Sequence, residues 1–333
     1  MGKRQIVEGL EKSERKKRRA QLGSLKSLVL RPSTIARYEK AFRAFIFYLN
    51  IQKTDISTTR SGLDRQVVDY LNYLWEEGES LSLAGDTLSS LQHFQPSSKR
   101  NLNQSWKMLK TWQQHELPAR ATPFTWVTLQ IVLGKVHTLS PQTALGLLVA
   151  FKCLLRTGEL LNLTARDFTI SPDQSTILIR LGFTKISGRN PSAGTVHITD
   201  LMLGKLLTTW LRSVKLDAPL IPFTDSKFRS LFHQALVDCN LDHLNLKPYS
   251  LRRGGATDLW LSTHSYNLVQ HAGRWTSERV MKQYIDDSTA LLSNIRVVPS
   301  AYQRTLISHW QSISHVEPPA SWKCRGRGRK QYR

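Results

Sequence analysis

The sequence predicts a mainly α-helical protein of two domains, with a small antiparallel β-sheet in the second domain. Its 333 residues suffice for two domains of roughly 150 residues each. Apolar residues recur every three or four positions along most of the chain, which is typical of amphipathic helices. In the segment 176–198 they alternate instead, which indicates strands.

The composition bounds the class of protein. With 40% hydrophobic and 22% charged residues, each half of the chain can bury a core. No uninterrupted apolar run approaches roughly 18 residues, so we expect no membrane span, and the N-terminus lacks the apolar core of a signal peptide. The three cysteines are too scattered for a disulfide framework or a metal site. We therefore expect an intracellular protein that needs no metal or other cofactor.

The charge is strongly basic and uneven. Lys and Arg number 47 against 25 Asp and Glu, a net charge of +22. Residues 1–20 hold eight basic and three acidic residues, and residues 323–333 hold six basic and none acidic, so +11 remains for the rest of the chain. An acidic polymer, most commonly nucleic acid, is the expected partner. The tails would serve transport of the protein or non-specific capture of nucleic acid, whereas the charge on residues 21–322 indicates a groove lined with basic residues.

The first half predicts a basic flexible arm, residues 1–30, and a helical DNA-binding domain, residues 31–116. A helix begins at Pro32-Ser33-Thr34. Apolar periodicity predicts this helix and three more, which together make a small bundle. Basic residues on their polar faces are expected either to contact DNA phosphates or to be solvated surface charges: Arg37, Lys40, Arg43, Lys99, Arg100 and Lys107.

The second half follows a proline-rich linker, residues 117–124, that contains Arg120. Residues 125–300 are expected to form the second domain, and residues 301–333 a basic C-terminal tail. Apolar spacing predicts helices over these segments: 126–136, 141–156, 201–214, 227–239, 250–261 and 278–284.

The densest chemical signal is residues 247–257, where a serine cap is followed by Arg252 and Arg253. The N-terminus of a helix already favours an anion, and arginine adds a planar fork for phosphate oxygens. Gly254 and Gly255 have no side chain, which would allow close backbone approach. The segment therefore indicates a bound phosphate.

The order of several motifs resembles the tyrosine recombinase (phage integrase) family. The segments 250–257, 270–275 and 280–285 match its C-terminal boxes, with 23 residues from Arg252 to Trp275 and nine more to Tyr284. Residues 155–163 resemble its first arginine box. The sequence looks most like the Cre-like branch, because Trp275 stands where most members have a second histidine. The helical segment 33–115 resembles the core-binding domain, so the resemblance covers both domains and implies a C-shaped clamp around DNA.

The resemblance implies a role for each site residue. Tyr284 would be the nucleophile and form a 3′-phosphotyrosyl bond. Arg156 and Arg252 would clamp the non-bridging phosphate oxygens, and Lys185 in the hairpin would protonate the leaving 5′-oxygen. Trp275 would donate its indole N–H to the phosphate or support the helix of the nucleophile. Glu159 would orient a neighbouring side chain.

One position departs from the family pattern: Tyr249 replaces the histidine three residues before the second arginine. A phenol has an unperturbed pKa near 10 and is a poorer general base than imidazole, so we expect reduced rather than abolished activity. The nearby His271-x-x-Arg274 lies too close to Tyr284 to be that box, and Arg274 is assigned to DNA contact.

Simpler structural roles remain open for some of these residues. Arg156 could form a salt bridge with Glu159 or Asp167, Lys185 could be a solvated hairpin lysine, and Arg253 could be structural or contact a backbone phosphate.

The function predicted from these residues and the resemblance is site-specific recombination or integration of double-stranded DNA, as encoded by mobile elements. Strand exchange implies a homotetramer on two DNA sites, with apolar residues of 291–298 docking on a neighbouring subunit. The expected compartment is the nucleus in a eukaryote, or the cytoplasm or nucleoid for a bacterial or phage protein. Two alternatives stay open: a type IB-like topoisomerase, and a DNA-binding protein that kept the fold but lost catalysis.

Overall fold

The computed structural model describes residues 11–25, 29–116, 121–182, 194–285 and 298–314. They divide into two compact units, and the division falls between residues 119 and 120 of the sequence. The predicted fold class is confirmed, since helices dominate and one three-stranded antiparallel sheet lies in the second unit. Within the described ranges, every helix is too short or too polar to cross a membrane.

The first unit is a helical bundle preceded by a basic helix. Its helices are α1 (Lys12–Leu22), α2 (Pro32–Ile51), α3 (Arg60–Glu76), α4 (Leu81–Phe94) and α5 (Asn103–His115). The four amphipathic helices that the apolar spacing predicts are α2 to α5, and all four are confirmed. Pro32 occupies the first turn of α2, where its missing N–H costs nothing.

The core of this unit lies between α2, α3, α4 and α5. Phe45 and Leu88 are fully buried in it, because the three- and four-residue steps place them on the inward helix faces. One carboxylate is also buried: Asp64 on α3 accepts hydrogen bonds from the backbone N–H groups of Gln104 and Ser105, both at 3.0 Å. Asp64 thus satisfies donors at the start of α5 that would otherwise be left unpaired.

The second unit combines helices with the sheet. In chain order it contains α6 (Trp126–Leu139), α7 (Pro141–Lys152), α8 (Thr157–Leu160), β1 (Phe168–Ile170), β2 (Thr176–Arg180), β3 (Thr195–Thr199), α9 (Leu201–Ser213), α10 (Asp225–Asp238), α11 (Ser250–Thr263), α12 (Tyr266–Gly273), α13 (Glu278–Lys282) and α14 (Ala301–Ser314). Helix α7 is buried from Thr143 to its last residue, Lys152, as its almost continuous apolar sequence predicts.

The sheet has the order β1-β2-β3, with both pairs antiparallel. Ile177 pairs with Ile198 and Ile179 with Val196, and all four side chains are buried. The alternating pattern over 176–198 therefore places one face of the hairpin on the core, as predicted. Strand β1 was not predicted, since three residues are too few to show a period.

Helix α7 ends at Lys152, four residues before its predicted end at Arg156. Leu154 adopts a left-handed conformation with φ of 49°, which stops the helix and turns the chain. An apolar run carries no signal of this turn, because Leu154 and Leu155 are buried just as the helical residues are. Arg156 consequently lies in a turn between α7 and α8.

Helices α1, α8, α12 and α14 were not predicted, and α1 lies within residues 1–30, which were expected to be a flexible arm. Residues 301–314, assigned to the basic tail, form α14, which packs on α6 through Leu306 and Trp310. The backbone of Leu306 lies where a side chain at Gly134 would be, so only glycine there permits the close contact of the two helices. The basic residues that suggested a tail begin only at position 323.

Candidate active site

The first arginine of the site, Arg156, extends from the turn between α7 and α8. Its backbone N–H donates to Glu159 Oε2 at 2.8 Å, and its Nη1 donates to Glu159 Oε1 at 2.6 Å. This is the predicted salt bridge with Glu159; Asp167 instead accepts hydrogen bonds from Thr164. About a third of the Arg156 side chain, 34%, is exposed, so a solvent-borne anion can reach it.

The second arginine, Arg252, lies in the first turn of α11 and is fully buried. Its Nη1 donates to the carbonyl of Leu154, and its Nη2 donates to the carbonyl of Gly273 at 2.6 Å. Its guanidinium carbon lies 4.5 Å from the Trp275 ring centroid and 5.4 Å from that of Tyr284. Burial, and the neighbouring positive charges, lower the pKa of Arg252 to about 10, which leaves it charged at neutral pH.

Two glycines let α11 reach this depth. A side chain at Gly254 would overlap the backbone of Phe124, and one at Gly255 would overlap the carbonyl of Phe151. The close approach predicted for these glycines therefore occurs, but the neighbour is the protein's own backbone. This close packing places Arg252 within hydrogen-bonding distance of the Leu154 carbonyl, just after the end of α7.

The turn after α12 supplies the opposite wall of the site. The backbone N–H of Trp275 donates to the carbonyl of Gln270, and the backbone N–H of Arg274 donates to that of His271, both at 3.0 Å. This is the Schellman pattern at a helix C-terminus. Arg274 is the left-handed residue of this turn, with φ of 57°. The Trp275 indole lies where a side chain of Gly273 would be, so the glycine makes room for the ring.

The carboxylate of Glu159 is shared by two arginines. Besides Arg156, it accepts a hydrogen bond from Arg274 Nη2 on Oε2 at 2.9 Å, and both side chains of this second pair are only 7% exposed. Burial raises the pKa of Glu159, but Arg274 and Arg156 more than offset it, and the net pKa is lowered. Glu159 is therefore ionised at neutral pH.

Two phenols meet above Arg252. Tyr284 follows α13, and its ring centroid lies 4.6 Å from that of Trp275 and 5.7 Å from that of Tyr249. Tyr249 immediately precedes α11 and is about 39% exposed. The two tyrosines and the tryptophan thus form an aromatic group that opens to solvent on the Tyr249 side.

The electrostatics distinguish the two phenols. Burial raises the pKa of Tyr284, but a hydrogen bond with Tyr249, the neighbouring Trp275 indole and the charges of Arg252 and Arg156 outweigh it, so the net pKa is lowered. For Tyr249, burial and the interaction with Tyr284 raise the pKa. Tyr284 is therefore the phenol of the pair that ionises more readily.

This arrangement can hold an anion beside a nucleophile. Arg156, Arg252 and Arg274 face one carboxylate, Glu159, so the cluster carries an excess of positive charge. A phenol whose pKa is lowered by its surroundings is an activated oxygen nucleophile. Together these features suit attack on a phosphoryl group, whose developing charge the guanidinium groups would stabilise.

Comparison with known proteins identifies the fold. No protein-family model matches the chain, and no curated protein matches it in sequence. Solved structures do match. The Tn1549 transposon integrase, solved in complex with transposon right-end DNA, aligns with a TM-score of 0.57 at 11% identity, covering 86% of this chain and 98% of that one. A lambda integrase dimer bound to a COC′ core site aligns with a TM-score of 0.53 at 15% identity, covering 84% of this chain and 78% of that one.

The chain has the tyrosine recombinase fold. The resemblance predicted from the sequence motifs is confirmed at this level, and the Cre-like branch stays a prediction. At 11–15% identity the alignment carries the fold and not the activity.

Within this recombinase fold, the residues predicted for catalysis come together with one gap. Five of them form one cluster with Glu159, although as many as 128 positions separate them in sequence: Arg156, Tyr249, Arg252, Trp275 and Tyr284. Lys185 lies outside the described residues, and so does Arg120 of the linker.

Two arginines of the second unit that were predicted to contact DNA are buried in the recombinase fold. Arg253 is only 3% exposed, a position that fits the structural alternative better than a DNA contact. Arg274 is turned inward onto Glu159. The sequence does carry a signal for Arg274, because arginine occupies a helix-ending position where glycine is usual, but its partner lies 115 residues away.

The basic residues predicted on the first unit are exposed. Arg37 forms an ion pair with Asp86 at 2.8 Å and Arg43 a longer contact with Glu39 at 3.8 Å. Lys40, Lys99, Arg100 and Lys107 are also at the surface. Exposure suits a phosphate contact and a solvated charge equally, so their role in DNA binding stays a prediction.

Proposed function

We propose that the protein is a tyrosine-type site-specific DNA recombinase that cuts and rejoins strands through a 3′-phosphotyrosyl intermediate. The observation that carries the proposal is the placement of Tyr284, whose pKa is lowered, beside Trp275 and the guanidinium groups of Arg252 and Arg156. The tyrosine recombinase fold and the DNA-bound state of the two integrases support it.

The reaction assigns one task to each group. The Tyr284 phenolate, whose proton has passed to solvent, attacks the phosphorus. The bond between the phosphorus and the 5′-oxygen breaks, and the 3′-phosphate stays on the tyrosine. Tyr249 donates a hydrogen bond that stabilises the phenolate, in place of a basic histidine. Arg156 and Arg252 neutralise the charge on the non-bridging oxygens. Lys185 gives its proton to the leaving 5′-oxygen, and attack by a 5′-hydroxyl reverses the sequence.

The nucleophile is tested with a nicked duplex whose short cut strand diffuses away and traps the covalent complex. The duplex sequence comes from selection of bound sites in a random pool. The intact protein should give a protein–DNA band on a denaturing gel, and Tyr284→Phe should give none, because the attacking oxygen is missing. Tyr302→Phe is the control, since Tyr302 is an exposed tyrosine on α14. A band that survives Tyr284→Phe would contradict the assignment.

The same selected duplexes distinguish the recombinase from the two alternatives, an inactive DNA-binding protein and a topoisomerase. A protein that binds the selected sites but forms no covalent band is a DNA-binding protein with an inactive site. A protein that forms the band and relaxes supercoiled DNA, yet never joins strands of two labelled duplexes, is a topoisomerase. Joined strands from two duplexes support the recombinase.

We propose that both units contact double-stranded DNA. Residues 31–116 would be the core-binding domain and residues 125–300 the catalytic domain, joined by the linker 117–124. Exposed basic residues on α2 and α5, such as Lys40 and Lys107, support a role of the first unit in phosphate contact.

Strand exchange would require a homotetramer on two sites. The predicted docking residues 291–297 lie outside the described residues, and Val298 is 81% exposed. Action on DNA implies a compartment that holds it: the nucleus in a eukaryote, or the nucleoid for a bacterial or phage protein.

A further inference from the structure

We propose that Arg274 is a positioning residue: it holds the Glu159 carboxylate so that Arg156 keeps its exposed side for the phosphate. The proposal rests on the proposed function, since it concerns the same site, and it replaces the DNA contact that the sequence predicted for Arg274. It is argued from the backbone of Arg274, its burial, and the way Glu159 is divided.

The backbone of Arg274 is the first observation. Its φ of 57° and ψ of 43° lie in the left-handed region, which disfavours residues with a Cβ atom. Glycine is the usual residue at this place in a Schellman turn. Gly273 occupies the preceding position instead, where the Trp275 ring leaves no room for a side chain. Arginine thus occupies a position that its backbone makes unfavourable.

The side chain of Arg274 is buried against the turn that carries Arg156. Besides Glu159, its Nη2 contacts the carbonyl of Leu154 at 3.2 Å, and its Nη1 contacts those of Ala272 at 3.2 Å and Cys153 at 3.4 Å. Only 7% of the side chain is exposed. Its terminal nitrogens are taken up by Glu159 and by these carbonyls, and the contacts join the end of α7 to the turn after α12.

The division of Glu159 gives the functional consequence. Oε1 takes Arg156 Nη1, while Oε2 takes Arg274 Nη2 and the backbone N–H of Arg156. Arg274 is the largest of the interactions that lower the pKa of Glu159. Without Arg274, the whole negative charge of this buried carboxylate would fall on Arg156. Arg156 would then be neutralised and drawn inward, away from the phosphate.

The contacts of Arg274 also set the distance between the chain after α7 and the turn after α12, which lie on two sides of Arg252. Leu154, which accepts from Arg274, accepts from Arg252 as well. Gly273, next to Arg274, accepts from the other end of the Arg252 guanidinium. Arg274 therefore closes a network in which Arg156, Arg252 and Trp275 keep a fixed arrangement.

Arg274→Gly is the decisive variant, because glycine suits the left-handed backbone and removes the side chain that holds Glu159. His264→Gly is a matched control: His264 ends α11 with φ of 50° and makes no contact with Glu159. At saturating DNA, Arg274→Gly should slow covalent-complex formation roughly 10- to 100-fold while the Kd for the duplex changes less than about twofold. Arg274→Lys should restore part of the rate, and His264→Gly should change neither quantity.

A double-variant cycle tests the route through Glu159. Glu159→Gln should slow cleavage by itself, and adding Arg274→Gly should slow it little further, because both changes act on the same carboxylate. Two outcomes overturn the proposal. One is weaker DNA binding by Arg274→Gly with an unchanged cleavage rate, which would mean a DNA contact. The other is a double variant whose loss of cleavage rate equals the product of the losses in the two single variants.

A second readout keeps this proposal separate from the proposed function. If the intact protein forms no covalent complex, the recombinase activity is contradicted, and the pKa of Tyr284 then decides the role of Arg274. This pKa is measured by NMR on protein labelled with ¹³C at tyrosine Cζ, with Tyr284→Phe identifying the signal. Arg274→Gly should raise it, because Arg156, one of the charges that lower it, is neutralised by Glu159. An unchanged Tyr284 pKa in Arg274→Gly contradicts the positioning role.

Discussion

At the scale of single residues, the site is governed by what surrounds each charge. Arg252 remains charged in full burial because two carbonyls accept from its terminal nitrogens and two aromatic rings face it. The same guanidinium, together with Arg156, lowers the pKa of Tyr284. The cations thus favour ionisation of Tyr284, the proposed nucleophile, before any phosphate binds.

The pairing of Tyr249 with Tyr284 leads to a prediction about pH. Tyr249→Phe removes a hydrogen bond that lowers the pKa of Tyr284, so that pKa should rise and less phenolate should exist at neutral pH. We expect covalent-complex formation at pH 7 to slow about tenfold, as for the loss of one hydrogen bond to the phenolate, and to recover as the pH is raised.

The measurement is the rate of covalent-complex formation from pH 6 to pH 10. The rising limb of the profile should lie at higher pH in Tyr249→Phe than in the intact protein, and Tyr302→Phe should leave it in place. A limb that does not move, with a uniformly lower rate, would show that Tyr249 contributes contact with the substrate rather than control of the phenol.

At the scale of elements, the site depends on helices packed closely enough to share backbone groups. Helix α11 lies against the chain at Phe124 and against the end of α7. That contact places Arg252 within reach of the Leu154 carbonyl. The turn after α12 reaches the same guanidinium from the other side through Gly273. Elements distant in sequence are thereby joined at one side chain.

Gly255→Ala tests this packing. The added methyl group would overlap the Phe151 carbonyl and a methyl group of Leu154, and neither the backbone nor the buried leucine can move freely. We expect the free energy of unfolding to fall by about 1–3 kcal/mol, measured by urea denaturation. Gly158→Ala is the control, because a side chain there meets no atom within 4 Å, and its effect should stay within about 0.5 kcal/mol. Equal effects of the two variants would contradict the packing argument.

At the scale of the whole molecule, the proposed function divides the net charge of +22 between two uses. The arginine cluster of the site would act at one phosphate. The basic residues of 1–20 and 323–333 are far more numerous than one phosphate requires, and we expect them to act on the DNA polyanion as a whole.

Replacement of the six basic residues of 323–333 by glutamine tests the second use. Each phosphate that is no longer neutralised should reduce the slope of log Kd against log salt concentration by about 0.9, so the slope should fall by up to about five. The Kd for a non-specific duplex is measured by fluorescence anisotropy over a range of NaCl concentrations. A tail with the same residues in scrambled order should keep the original slope, and the cleavage rate at saturating DNA should not change. An unchanged slope in the glutamine variant would contradict this role.

The fold class and most of the helices could be predicted from local pattern. The three- and four-residue apolar steps of α2 to α5 and the alternation over β2 and β3 each record one buried face, so a single segment carries its own signal. Helix α12 has eight residues and β1 three, which is too short for a period to emerge. The end of α7 was missed because the turn at Leu154 is as apolar as the helix before it.

The candidate site divides in the same way. The sequence by itself determined which residues could do the chemistry, because Arg156, Arg252, Trp275 and Tyr284 stand at spacings that resemble a known family. Only the tertiary structure decided how their charges are shared. The pairing of Arg274 with Glu159, and of Tyr249 with Tyr284, joins residues that lie 115 and 35 positions apart. Contacts over such distances depend on how helices pack, and helix packing leaves no periodic trace in the sequence around either partner.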